Sequence, residues 1–227
     1  MTSVRSFTIQ SSIWQQCAPM LEQAARWANT HQVSLGTTVP SAGDASRHAV
    51  LAELAFSAAE LGYAEWVRTP AGDWRFQHVA QFLARLPGGR ASEARPNEGE
   101  WNEVDGLARV LTRYVAELPQ PPVFRPFVPG CGVVAGEPAD IRLGSHLIEV
   151  KSVTRPFGVA DFRQVLSYVA MLRAVGDEVQ EVTLLNGRRA RYVTMSVEQI
   201  AQIARGEAAV LMLGDIIEAM SGLQVSA

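Results

Sequence analysis

The chain has 227 residues, 48% of them hydrophobic and 19% charged, with a formal net charge of −3. That length suits one large domain or two small ones with a real core. The mild acidity excludes a broadly basic nucleic-acid coat, and no apolar run reaches the roughly 18 residues of a membrane span. Cys17 and Cys131 are the only cysteines. They lie too far apart for metal-ligand spacing and are too few for a disulfide framework. The opening residues lack the basic start and apolar stretch of a secretory signal, so a cytoplasmic protein with no membrane partner is expected.

Ile13 to Ala28 places Ile13, Cys17, Met20, Leu21, Ala24, Ala25 and Ala28 at helical spacing. The Gly/Ser/Thr/Pro-rich run from Ser34 to Gly43 interrupts it. A second helix is expected from Ala45 to about Leu61, closed by Gly62, and a third from Phe76 to Leu86. Pro87 to Asn97 is rich in breakers and poor in apolar residues, which makes it the expected linker. Residues 1–92 then form a helical N-terminal domain, a candidate surface for a protein partner, and 97–227 a second domain. Trp14, Trp27, Trp66 and Trp74 are expected in the core or facing a partner rather than forming a base-stacking platform.

Past the linker the pattern is mixed α/β. Asn97 with Glu100 three residues on resembles a capping box. Trp101, Val104, Leu107, Ala108, Leu111, Tyr114, Val115 and Leu118 then recur at helical period as far as Pro119. Extended segments follow, then a helix from about Val159 to Val175. Asn186-Gly187 marks a hairpin, and Ser196 caps a C-terminal helix. The order predicts one sheet flanked by helices.

The chemistry concentrates between Glu137 and Val153. Gly144-Ser145 suits a two-residue turn with glycine first. The strands on either side then pair Leu143 with His146, Arg142 with Leu147, Ile141 with Ile148 and Asp140 with Glu149. Alternation puts Glu149 and Lys151, the only lysine in the chain, on one face, with Ile148 and Val150 on the other. His146 is expected at the surface. Two opposed carboxylates repel each other unless compensated. A hard divalent cation is the natural compensation, because Mg²⁺ takes one or two carboxylates and completes its shell with water and phosphate oxygens. A solvated carboxylate–lysine cluster is the plain structural alternative.

Pro138-Ala-Asp140, an eight-residue spacer and Glu149-Val-Lys151 resemble the PD-(D/E)xK motif of the restriction-endonuclease-like superfamily. Gln164-Val-Leu-Ser-Tyr168 in the following helix is similar to the Q-x-x-x-Y motif of its recombination-nuclease and phage-exonuclease branch. The resemblance covers about Asn97 to Met195. It implies a restriction-endonuclease-like core behind the helical N-terminal domain and a Mg²⁺- or Mn²⁺-dependent nuclease. DNA rather than RNA is the implied substrate, with phage defence, restriction or repair as settings. It further implies that Asp140 and Glu149 bind metal, that Lys151 stabilises charge, and that Gln164 and Tyr168 position substrate. An added carboxylate from the first core helix would be Glu100, inside the apolar stripe, or Glu103 on its flank; the rival reading of Glu100 is the cap partner of Asn97. Arg155, Arg163 and Arg173 would track a phosphate backbone or lie on a solvated face. The other class of function that fits is a catalytically inactive nuclease-fold module binding nucleic acid or a protein partner.

Overall fold

The computed structural model describes residues 1–42, 44–62 and 95–222, together with 79, 81 and 84. The first described elements are short helices α1 (Val4–Thr8), α2 (Ser11–Cys17) and α3 (Leu21–Thr30). The single helix expected from Ile13 to Ala28 is therefore two. Pro19 is the reason: the residue before a proline is pushed out of the α region, and Ala18 leaves it at φ −149° and ψ 69°. Strand β1 (Val33–Ser34) follows, then α4 (His48–Glu60), which a 3₁₀ turn over Ala45–Arg47 precedes and Gly62 at φ +82° ends. Of the helix expected over Phe76–Leu86, positions 79, 81 and 84 are helical and the rest lie outside the described residues. So do most of the expected linker, Trp66 and Trp74.

Helix α5 (Glu98–Ala116) starts on the expected capping box, with both the Asn97 and Glu100 side chains bonded to the opposite backbone N–H. Strands β2 (Val123–Phe124), β3 (Phe127–Val128), β4 (Glu137–Pro138), β5 (Ile141–Leu143) and β6 (His146–Lys151) lead to helix α6 (Val159–Ala174). Strands β7 (Glu181–Asn186) and β8 (Arg191–Ser196) come next, then helices α7 (Val197–Arg205), which Ser196 caps as expected, and α8 (Ala209–Gly222). The result is a mixed six-stranded sheet in the order β1-β8-β7-β6-β5-β2, flanked by helices, with β3 and β4 as a separate pair. Among the described strands, β6 and β7 are the only neighbours that run parallel, and α6 makes the crossover between them. The hairpin at Asn186 forms, but through four residues, because Asn186 still pairs with Arg191 and Ala190 takes the left-handed conformation at φ +49°.

The sheet separates two apolar cores. Leu147, Val182, Leu184, Val193 and Met195 face α1, α2, α3, α6, α7 and α8. Ile141, Ile148 and Leu185 face α4 and α5. The N-terminal helices thus share a core with the last three, and β1 extends the main sheet. Among the described residues, elements before the expected boundary at 92–97 contribute to both cores.

Candidate active site

Alternation along β6 sends Leu147 into the α6-side core and Ile148 to the α5 side, so Glu149 and Lys151 project toward α6. Glu149 is 2% exposed. The Lys151 Nζ lies 2.7 Å from Glu149 Oε1 and donates a second bond, 2.8 Å, to Gln164 Oε1 on α6. Gln164 Nε2 donates to the Tyr168 hydroxyl at 3.3 Å, one helical turn on, and that hydroxyl donates to Glu137 Oε1 at 2.8 Å. Gln164 therefore meets Lys151 directly, and Tyr168 joins it only through the Gln164 amide. Phe162, Val165, Leu166 and Val169 are all buried in the core.

Asp140 reaches the same place by a different route from the one the hairpin register predicted. The β5–β6 ladder has the three expected pairs, 141 with 148, 142 with 147 and 143 with 146, and stops there. Asp140 does not oppose Glu149 as a fourth. Its carbonyl accepts the Arg125 N–H at 2.8 Å, and Ala139 N–H goes to the Pro126 carbonyl, so this backbone stays with the segment after β2. The Asp140 side chain instead closes the open end of β6, with Oδ2 accepting the Val150 N–H at 2.7 Å.

The electrostatics follow from two carboxylates sharing one ammonium in a poorly hydrated place. Burial raises the Asp140 carboxyl above its usual range against the pull of Lys151 and the Val150 N–H, and Glu53 adds to the rise. Glu149 is pushed up to about 8, by burial first and then by Asp140, with Lys151 opposing. Burial disfavours the Lys151 ammonium, but Glu149 and Asp140 outweigh it and hold the amine above its usual range. Both partners of the Glu149–Lys151 bond thus shift upward. Three ionised groups would leave a net charge of −1, and one proton on the carboxylate pair removes it.

A divalent cation is another way to compensate the two carboxylates, and the donor set fits one. Among the described residues, Asp140 Oδ1 and Glu149 Oε2 have no hydrogen-bond partner, while Oδ2 and Oε1 are used on Val150 and Lys151. No three His, Cys, Asp or Glu residues converge closely enough to hold an ion among the described residues. The fit is therefore to a cation that accepts two carboxylates and takes water or phosphate oxygens for the rest, as Mg²⁺ does.

The helix-borne carboxylate is a correction. Glu100 is spent on the Asn97 N–H at 2.9 Å and on Arg47, at 2.5 and 3.1 Å; the Arg47 guanidinium holds it below the usual carboxylate range. Glu103 accepts the Ala42 N–H and forms a buried ion pair with Arg188. The helical acid that bears on Asp140 is Glu53 of α4. With Arg125, Glu137 and Asp140 it lines a cavity of about 470 Å³, and it bonds Arg125 at 2.5 Å.

Asp161, at the start of α6, is a further buried carboxylate. Burial pushes it up, but the Arg155 fork at 2.6 and 2.8 Å and the Gly158 N–H prevail and hold it low. That bidentate pair occupies Arg155. Arg173 lies 3.6 Å from Glu178, and Arg163 bonds the Thr8 carbonyl beside the buried Trp14. His146, expected at the surface, is half-buried with Nε2 2.8 Å from Thr183 Oγ1, and burial lowers its pKa. No protein-family model matches the chain, and neither curated proteins nor solved structures match it.

Proposed function

We propose that the chain is a metal-dependent phosphodiesterase with a restriction-endonuclease-like core of the PD-(D/E)xK type, acting on DNA. The observation that carries the reading is the placement of Lys151 between Glu149 and Gln164, with Tyr168 one turn further and Asp140 on the adjoining strand end. What supports the reading is that Asp140 just before β5, Lys151 and the buried Glu149 on β6, and Gln164 and Tyr168 on α6 are joined by side-chain hydrogen bonds or by the Val150 N–H.

Asp140 and Glu149 would hold Mg²⁺ or Mn²⁺, which when bound supplies an activated water and neutralises charge on the scissile phosphate. Glu149 would release its proton as the cation arrives. Lys151 offers a fixed ammonium to charge developing on the phosphate, in a site where water does not screen it. Gln164 and Tyr168 would orient that ammonium and contact the substrate.

The test is cleavage of single- and double-stranded DNA and RNA by purified protein with Mg²⁺ or Mn²⁺. Metal-dependent DNA cleavage that disappears in Asp140→Ala and Glu149→Gln is expected; full activity in either variant refutes the assignment. The alternative, a binding module without turnover, draws on the absence of a three-carboxylate cluster among the described residues. It gains if the wild type binds nucleic acid and cuts none.

A further inference from the structure

Every bond between Lys151 and Glu137 points the same way. The ammonium donates to Gln164 Oε1, the Gln164 amide donates to the Tyr168 oxygen, and the Tyr168 proton goes to Glu137 Oε1. Lysine has donors only and an ionised glutamate acceptors only, whereas an amide and a hydroxyl can each turn either way. The two middle groups therefore take their direction from the ends. Without the acceptor at Glu137, the Tyr168 hydroxyl is free to donate back to Gln164. The amide then has an alternative orientation that turns its NH₂ toward the ammonium, donor against donor.

We infer that Glu137 is a positioning residue of this site, fixing the Lys151 ammonium through Tyr168 and Gln164. The inference rests on the nuclease reading for its catalytic consequence but not for its geometry. Glu137 is well placed for the task. It stands three residues before Asp140 on β4, lines the same cavity, and is half-buried. A flexible four-carbon side chain such as lysine needs its head group fixed from more than one side to act in one geometry. Glu149 fixes one side, and the chain ending at Glu137 fixes the other.

The experiment uses the fact that Lys151 is the only lysine. Protein grown on lysine carrying ¹³C at Cε gives a single side-chain resonance, which reports the ammonium without any substrate. Glu137→Ala and Glu137→Thr, both too short to reach Tyr168, should move that resonance. They should also lower kcat on the order of 10-fold with KM for DNA little changed, the usual scale for a supporting residue. Glu137→Gln, which keeps an acceptor oxygen, should recover most of both. Combining Glu137→Ala with Tyr168→Phe should cost no more than either alone, because both cut one chain.

An unmoved resonance in both short variants overturns the inference. So does a Glu137→Gln variant that falls as far as they do, or an additive double variant. If the wild type cuts no nucleic acid, the nuclease reading falls by itself, and the lysine resonance alone decides the positioning role.

Discussion

Glu149 carries the site's clearest thermodynamic consequence. A carboxyl whose folded pKa is about 8, against 4.5 for the free group, binds its proton more tightly folded than unfolded. Its contribution to stability is full below about pH 4.5 and is lost as the pH rises to about 8. In metal-free protein, Glu149→Gln should therefore flatten the fall in Tm across that window and raise Tm at pH 8. A slope equal to that of the wild type would mean that Glu149 is ionised throughout. Mg²⁺ competes with the same proton, so by mass action it should raise the wild-type Tm more at pH 8 than at pH 5. Lys151 gives a second prediction at this scale. Lys151→Ala should lose on the order of 10²–10³ in cleavage rate while retaining DNA binding. Lys151→Arg should not restore the rate, because a planar guanidinium cannot replace a compact ammonium between Glu149 and Gln164. Wild-type rates in both variants would make the lysine incidental.

Helix α6 divides its labour by face. Val165 is fully buried among the helices that cover the sheet, and Gln164 beside it turns to Lys151. Val165→Ala should lower stability by about 1–3 kcal/mol in denaturant titration by opening a cavity, with metal-dependent chemistry spared in the folded fraction. Gln164→Ala should do the reverse. If Gln164→Ala cleaves every substrate at the wild-type rate, the Q-x-x-x-Y placement fails and the Asp140–Glu149 pair survives it. The local pattern carried much of this element: four-residue spacing put Gln164 and Tyr168 together, and alternation put Glu149 beside Lys151. Strand register was legible only where local pairing governs it. The three pairs nearest the Gly144 turn hold, whereas Asp140 answers to Arg125 and Pro126, remote partners that no hairpin pattern contains. Glu100 misled for a related reason. An acid in an apolar stripe stood out as a candidate metal ligand, but its carboxylate goes to Arg47, from a turn some fifty residues earlier, and to the Asn97 N–H of the capping box. Glu53 carries no pattern of its own, and Glu137 stands at the edge of the informative segment without a role; both join the site through tertiary packing.

At the scale of the molecule, the two ends of the described chain meet on one short loop. Val133 accepts the Thr2 N–H through its carbonyl and donates its own N–H to the Met220 carbonyl, at 2.8 and 3.1 Å. Gly132 beside it is left-handed at φ +55°, and a Cβ there would run into the Met220 carbonyl. Gly132→Ala should therefore destabilise the protein by several kcal/mol in chemical denaturation, since backbone strain and a backbone collision add. A loss below about 1 kcal/mol, the scale of an ordinary loop change, would show that α8 can shift to make room.

That meeting of the ends also sets an order of events during synthesis. Helices α1, α2 and α3 bury their apolar faces against α6, α7 and α8, so they leave the ribosome long before anything exists to cover them. At about 5–20 residues per second, Trp14, Leu21 and Ala24 wait on the order of ten to forty seconds for α8. Through that interval they are exposed apolar surface, open to chaperones and to neighbouring nascent chains. Consolidation of this half of the molecule therefore waits for α8 to be made, and its yield should depend on how fast the chain is made.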